Sequence, residues 1–180
     1  MFLSLIQKRR SIRRYLPWPV EKEKINVLIE AALRAPSSRG FNPWKFIFVT
    51  ERDLLKMLSV TKEHGSSFLR NATLGIVVCA EAVKSDVWVE DASIASIFIQ
   101  LAAESIGLGS CWIQIRERMH DNEKTAQEYI CEILNIPSRL KVESIIAVGY
   151  PEKRKPTHAK EDLQYDKIYL NSYGSLYRNT

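Results

Sequence analysis

The chain has 180 residues, of which 46% are hydrophobic and 26% charged, and these fractions are typical of one globular domain and exclude a wholly disordered protein. The first 14 residues alternate between apolar and basic types without the apolar core of a signal peptide, and no apolar run is long enough for a membrane span, so we expect a cytoplasmic location. The formal net charge of +5 favours an anionic ligand.

The hydrophobic pattern of the first third predicts two helices and a strand. Residues 2–8 are typical of a short amphipathic helix, and residues 21–35 of a longer helix that ends where a proline follows, because the residue before proline disfavours helical geometry. Residues 44–49 are strand-like. Thr50 and Asp53 resemble a capping box, which predicts a further helix directly after that strand.

The rest of the chain also mixes strands and helices. Residues 74–80 form an apolar run rich in β-branched side chains, as in a strand buried on both faces. Residues 90–106 predict a long helix that is apolar nearly all round and so needs a cover on every side, for which a second subunit is a candidate. Strands at 110–115 and 142–148 flank an amphipathic helix at 125–134, and this order predicts a layered α+β domain.

The segment after Pro151 has a different composition. It is polar and charged, yet it carries large apolar side chains that a solvated tail rarely has: Leu163, Tyr165, Ile168, Tyr169, Leu170, Tyr173, Leu176 and Tyr177. We expect this tail to wrap over a surface, with a partner subunit as the candidate.

The three cysteines, Cys79, Cys111 and Cys131, are widely spaced, include no CxxC pair and stand among apolar neighbours. The histidines do not cluster with them. Reduced, buried thiols are therefore expected, and neither a catalytic thiol nor a metal site is predicted.

A first candidate site is the basic run at residues 9–15. A phosphate needs several guanidinium groups and a hydroxyl donor that converge on one point, and Arg9, Ser11 and Arg13 would alternate onto one side of an extended segment. Taken alone, such a run is more often a solvated face. It could also contact nucleic acid, but no nucleic-acid-binding signature accompanies it.

Two further segments carry candidate residues. Residues 35–44 place small and hydroxyl side chains between a helix and a strand, which suits a flat polar ligand but is also typical of an ordinary turn. The glycines in residues 107–113 are no dinucleotide fingerprint, because here a helix precedes them and a strand follows. Gly107 is expected to be the left-handed residue that ends the helix.

Taken together and in this order, the segments resemble the FMN-dependent nitroreductase family over almost the whole chain. The family shares the arginine-rich start, the Pro-Ser-Ser…Pro-Trp loop, an acidic and alanine-rich central helix that runs into Gly-Leu-Gly-Ser-Cys-Trp, and a Val-Gly-Tyr-Pro turn at 148–151. The resemblance implies an α+β fold with a mainly antiparallel sheet flanked by helices. It also implies one domain over 1–180 that forms an intertwined homodimer, with an exchanged tail at 152–180 whose residues 168–170 extend the partner's sheet.

The resemblance assigns FMN-binding roles by position. The phosphate and ribityl chain would be held by Arg9, Arg10, Ser11 and Arg13, together with Lys155 and the adjacent candidate Arg154. The flavin ring would be lined from the other subunit by Pro36, Ser37 and Ser38.

The family often has Asn where this chain has Gly40 and Gln where it has Asn42, so the amide contact to the ring edge would be absent or come from Asn42. The arginine that commonly follows the phosphate lysine by two residues is Thr157 here. Either Lys62 or His64 could donate the hydrogen bond to flavin N1 and O2, and the sequence does not decide between them.

The activity implied is a ping-pong hydride transfer from NADH or NADPH through FMN to an electron-poor acceptor, such as a nitroaromatic, a quinone or an activated alkene. No catalytic side chain is required, because flavin N5 carries the hydride. Three alternatives stay open: a flavin- or nucleotide-binding module without turnover, a family member specialised in flavin fragmentation or reductive dehalogenation, and a basic nucleic-acid-binding protein. The specialised members usually carry extra lid sequence, for which only residues 116–127 are available here.

Overall fold

The computed structural model of the protein describes residues 2–177. Within that range the helices are Phe2–Lys8 (α1), Lys22–Leu33 (α2), Arg52–Ser59 (α3), Trp88–Ser105 (α4) and Ala126–Leu134 (α5). The strands are Trp44–Val49 (β1), Leu74–Glu81 (β2), Gly109–Gln114 (β3) and Leu140–Gly149 (β4). The predicted elements are all present, with ends that differ by at most a few residues.

The four strands form one sheet in the order β1-β2-β4-β3, and every neighbouring pair is antiparallel. This confirms the predicted α+β class with an antiparallel sheet. Strands β2 and β4 lie in the centre, which explains why their sequences are continuously apolar rather than alternating. Strands β1 and β3 lie at opposite edges.

The helices cover both faces of this sheet. Helices α2 and α4 pack on one face, where Leu28 and Ile99 are fully buried with Ile146. Helices α3 and α5 pack on the other, where Leu55 and Ile130 are fully buried. Each face thus has its own apolar core, and α4 spans the sheet from one end to the other. None of the helices within residues 2–177 combines the length and the apolar character that a membrane crossing requires.

The capping box expected at Thr50 and Asp53 is wrong. Helix α3 begins at Arg52 with Glu51 at its N-cap, and no side chain caps it. Because Glu51 and not Thr50 is the N-cap, Asp53 is at the second helical position rather than the third, where a capping box places its acidic residue. Its carboxylate instead accepts a hydrogen bond of 2.9 Å from Lys56 one turn later.

The basic segment after α1 lies along the β3 edge of the sheet. The backbone N–H of Ile12 donates to the carbonyl of Ser110 at 2.9 Å, and the N–H of Leu16 donates to the carbonyl of Tyr150 at 2.8 Å. This close packing requires glycine at position 109, because a Cβ there would lie 2.8 Å from the side chain of Ile12. These hydrogen bonds hold the backbone on both sides of Ile12 against the sheet edge, including that of Arg13.

Within the described residues, the far end of the tail folds back on itself. All residues from 152 to 177 are exposed, and a small turn is closed by hydrogen bonds of 2.8 Å from Tyr177 N to Ile168 O and from Leu170 N to Ser175 O. The apolar side chains that the sequence singled out remain exposed. Residues 178–180 of the predicted tail lie outside the described residues.

Candidate functional site

Four polar side chains of the predicted site lie around the buried thiol of Cys111 on β3. Burial raises the pKa of this thiol, whereas the charges of Arg13, Lys155 and Arg9 and a hydrogen bond from Ser11 lower it. Side chains from the N-terminal segment and from the segment after β4 therefore lie within electrostatic range of the same thiol. Arg9, Ser11 and Arg13 were predicted to share a side of the segment, and all three lower the pKa of this one thiol. We call these four residues the Cys111 cluster.

The remaining two basic residues of the predicted set lie in an adjacent groove. This groove has a volume of about 430 Å³, and Lys8, Arg10, Arg154 and Lys155 are among the residues that line it. Lys155 belongs both to the groove and to the Cys111 cluster, so the two basic regions are continuous.

The guanidinium groups in the groove already have partners within the chain. Arg154 forms a 2.7 Å ion pair with Glu104 near the end of α4 and donates to the carbonyl of Gly107 at 3.2 Å. Arg10 donates to the carbonyl of Pro156. These contacts fix the start of the tail against the carboxyl end of α4. Gly107 itself has φ +84°, which confirms the left-handed helix end.

The second half of the predicted site is the loop at residues 36–42, here called the 36–42 loop. Its backbone takes the left-handed conformation at Arg39, Gly40 and Asn42, with φ of 51°, 68° and 47°. Ser37 Oγ donates to the amide oxygen of Asn42 at 2.7 Å and accepts from its backbone N–H at 2.9 Å. Pro36 and Gly40 are exposed in the same loop.

The two halves do not meet within one chain. The 36–42 loop is tied to the amino end of α4, because the backbone N–H of Ser38 donates to Asp91 at 2.8 Å. The basic groove lies at the carboxyl end of α4, beside Glu104. At a rise of 1.5 Å per residue these anchor points are roughly 20 Å apart. The structure therefore groups the predicted residues into two sets, one at each end of α4.

Lys62 and His64 differ sharply in their surroundings. Lys62 is half-buried, and burial lowers the pKa of its ammonium group, with Arg118 acting in the same direction and Cys111 in the opposite one. Lys62 thus lies near the Cys111 cluster. The side chain of His64 is 88% exposed and contacts the neighbouring Glu63.

The segment after β3 is folded against α5 rather than free. The ring of His120 stacks on that of Tyr129 with 3.9 Å between centroids, and Met119 forms a backbone bridge to Thr125. A groove of about 310 Å³ lies beside this segment and includes Arg118 in its lining. Arg118 also lowers the pKa of Lys62, and its position after the predicted strand, in a polar stretch with no motif, gave no sign of this proximity.

The cysteines are free thiols, as predicted. Burial raises the pKa of Cys79 to about 12 and also raises the pKa of Cys131. Thiols with raised pKa values are protonated at neutral pH and are poor nucleophiles. Among residues 2–177, no group of three or more His, Cys, Asp or Glu side chains is arranged to hold a metal ion.

Comparison with known proteins places this geometry in a family. The sequence profile of the nitroreductase family matches residues 6–64 and 51–150. A candidate NADH dehydrogenase/NAD(P)H nitroreductase of Archaeoglobus fulgidus is 37% identical over 176 residues, which cover 95% of this chain and 98% of that protein.

Solved structures show the same similarity. An FMN-dependent nitroreductase of Clostridium difficile R20291 is 47% identical, with a TM-score of 0.94 over 95% of this chain and 99% of that one. A candidate NADH dehydrogenase/NAD(P)H nitroreductase of Parabacteroides distasonis is 35% identical, with a TM-score of 0.87 over 96% of this chain and 98% of that one. The chain belongs to the nitroreductase family.

Proposed function

We propose that the protein is an FMN-dependent oxidoreductase that takes its electrons from NADH or NADPH. The observation that carries this proposal is the grouping of basic side chains beside β3: Arg13 and Lys155 line one pocket, Arg10, Arg154 and Lys155 line another, and Arg9 and Ser11 act on the same Cys111 thiol. Three cationic groups and a hydroxyl donor suit a phosphate dianion, which prefers several charge-assisted hydrogen bonds from different directions. The similarity to an FMN-dependent nitroreductase at 47% identity supports the same ligand.

The residues present fit the FMN phosphate. The Cys111 cluster would hold the phosphate, and Arg13 is further steadied by its guanidinium lying 5.7 Å from the ring centroid of Phe68. Arg10 and Arg154, in the adjoining groove, would add positive potential along the ribityl chain. Lys62 would donate to the polar edge of the flavin ring, near N1 and O2.

The flavin ring requires the second half of the site, which we assign to a partner subunit in a homodimer. Pro36, Ser37 and Ser38 of one protomer would line the ring held by the other, with Gly40 and Asn42 in the same loop. An antiparallel crossing of two α4 helices would bring the carboxyl end of one beside the amino end of the other. This arrangement joins two sets of residues that a single chain keeps roughly 20 Å apart.

The tail gives the dimer its second contact. The domain spans residues 1–180, and its tail at 152–180 would wrap the partner, because its apolar side chains are exposed in its own chain. Strand β1 is an edge strand whose surface carries an apolar groove of about 490 Å³, lined in part by Leu33, Trp44 and Phe46. Residues 168–170 would add a strand to this edge.

The Cys111 cluster and the 36–42 loop would hold FMN, which would supply the chemistry of hydride transfer from a reduced nicotinamide to a second substrate in a ping-pong sequence. The acceptors that we propose are electron-poor molecules, namely nitroaromatics, quinones and activated alkenes. The chain's own residues would bind and orient the cofactor, and the ring face that they do not cover would receive both substrates in turn. The segment at 116–127 is short and pinned to α5, so it leaves little material for an enclosing lid.

The decisive experiment is spectroscopic. The freshly purified protein should be yellow, release a pigment with the mass of FMN, and lose its flavin absorbance when NADH or NADPH is added without oxygen. Addition of a nitroaromatic or a quinone should then restore the absorbance. A flavin that no nicotinamide bleaches would indicate a binding module without turnover. A colourless protein that takes up no added FMN would contradict the proposal altogether.

Replacement of all three cysteines by serine should leave hydride transfer intact. Their thiols are protonated at neutral pH, and the flavin performs the redox chemistry, so no thiolate is needed. Cys79 is fully buried, and a serine hydroxyl there costs about 1–3 kcal/mol of stability if it stays unpartnered. The turnover number of the folded, flavin-loaded triple variant, measured below its melting temperature, should stay within about twofold of the parent. Complete loss of turnover in that preparation would show that a thiol takes part.

A further inference from the structure

Asp91 is a buried carboxylate that the proposed chemistry does not use. It lies in the first turn of α4, where the helix dipole favours a negative charge, and only 2% of its surface is exposed. One carboxylate oxygen accepts the backbone N–H of Ser38 at 2.8 Å, and the other accepts the hydroxyl of Ser85 at 2.9 Å. Among the described residues it has no cationic partner within ion-pair distance. Two neutral donors are thus directed to one buried carboxylate.

The loop on the other side of this contact is held in an unfavourable conformation. Arg39 has a left-handed backbone that residues other than glycine and asparagine rarely adopt, with φ of 51°, and Asn42, which tolerates this conformation better, has φ of 47°. Such a conformation persists only where the surroundings determine it. Ser37 and Asn42 bond to each other within the loop. The hydrogen bond from Ser38 to Asp91 is what joins the loop to the rigid helix.

We propose that Asp91 is a positioning residue for FMN: by fixing Ser38 to the amino end of α4, it holds the 36–42 loop in the shape that lines the flavin ring. This inference rests on the proposed function. It adds that Asp91 acts in trans. The loop that Asp91 positions lines the flavin ring of one site, and the Cys111 cluster of that same site belongs to the partner subunit. Asp91 itself touches the loop and not the cofactor.

The first experiment compares FMN dissociation constants by flavin fluorescence for Asp91→Ala, Asp91→Asn and Asp86→Ala. Alanine removes the acceptor of Ser38, and affinity should fall by about 10-fold to 100-fold, the range for an unpartnered buried donor. Asparagine keeps an amide oxygen for Ser38 and offers Ser85 a donor, so its affinity should stay within about threefold. Asp86 is exposed in the neighbouring turn, and its alanine variant controls for the lost charge.

A second pair of variants tests the same hydrogen bond from the loop side. Ser38→Pro removes the backbone N–H and leaves Asp91 in place, whereas Ser38→Ala keeps the N–H and removes only the hydroxyl. Ser37 is already extended, which is the conformation that proline favours in the residue before it. The proline variant should bind FMN at least tenfold more weakly than the alanine variant. Equal affinities in these two variants would overturn the proposal, even if Asp91→Ala failed to fold.

The action in trans is tested in hybrid dimers of an Asp91→Ala subunit and an Arg13→Ala subunit, separated by different affinity tags. If the loop serves the partner's site, one site of the hybrid carries both defects and the other carries none, so one FMN per dimer should bind with the parent affinity. If each loop serves its own chain, both sites carry one defect and no tight site is left, which would overturn the action in trans.

The outcomes also separate this inference from the function on which it rests. If the parent protein binds no FMN, the proposed function fails. If the parent binds FMN and folded Asp91→Ala binds it equally well, the function stands and the positioning role is wrong. A lower melting temperature of the apoprotein with unchanged FMN affinity would assign Asp91 a structural role only.

Discussion

Replacing Arg9 and Arg13 together with alanine is expected to yield a folded protein that is purified without FMN. Both guanidinium groups lie at the Cys111 cluster, and neither contributes to the cores on the two faces of the sheet. Arg13 is exposed and Arg9 half-buried, so their truncation leaves no buried cavity. The loss should therefore fall on ligand binding and not on folding.

The size of the effect follows from the hydrogen bonds that are lost. A hydrogen bond to a charged group contributes about 1.5–3 kcal/mol, so two lost arginine contacts should weaken FMN binding by about two to four orders of magnitude. Affinity in the parent should also fall as salt is raised, because cations and phosphate are screened. The measurement is a titration of the apoprotein with FMN, followed by flavin fluorescence at two salt concentrations.

A matched control removes the same amount of charge elsewhere. Arg34 bonds to Glu30 on the surface of α2, and Arg139 is exposed before β4. Their double alanine variant loses two positive charges, as the test variant does, and should keep FMN. Equal weakening in the two double variants would mean that net charge, and not the Cys111 cluster, attracts the cofactor.

The sequence predicted the fold well where local pattern and burial agree. Strands β2 and β4 are continuous apolar runs because they occupy the centre of the sheet, and β1 was predicted with its observed ends. The C-terminal helix α5 begins after a capping box in which Thr125 and Glu128 exchange hydrogen bonds. The similar pair at Thr50 and Asp53 forms none, since a motif of two residues does not determine where a helix begins.

The part of the candidate site that depends on local sequence pattern was also predictable. Alternation along an extended segment predicted that Arg9, Ser11 and Arg13 would share a side. The pattern could not reveal that Arg154 would pair with Glu104, because that contact joins residues 50 positions apart through the packing of the tail on α4. Asp91 lies at the acidic start of the central helix, which the sequence pattern indicates. Its contact with the 36–42 loop, 53 residues earlier in the chain, appears only in the folded structure.

Substitution of Ile97 by aspartate on α4 should dissociate the proposed dimer and release FMN at the same time. Ile94, Ile97 and Phe98 lie on the face of α4 that turns away from the sheet, and each is more than one third exposed in the single chain. Their spacing puts them on one stripe of the helix. An apolar stripe left exposed in the middle of a long helix suits contact with a second copy of the same helix.

The effect is large because a two-fold interface contains every substitution twice. An unpaired charge buried at an interface costs about 3–5 kcal/mol, so two copies should weaken the dimer by about four orders of magnitude or more. In the monomer the same aspartate is partly exposed and should be tolerated. Circular dichroism of the variant should therefore match the parent, while light scattering coupled to gel filtration reports half the mass.

The matched control is Val83→Asp, which introduces the same charge at a side chain that is 91% exposed in the turn before α4. It should leave the mass and the FMN content unchanged. The informative comparison is between mass and FMN content in Ile97→Asp, since the two sets of site residues lie at opposite ends of one α4. A folded monomer that binds FMN with the parent affinity would show that one chain completes the site, and the proposed sharing of the cofactor between subunits would then be wrong.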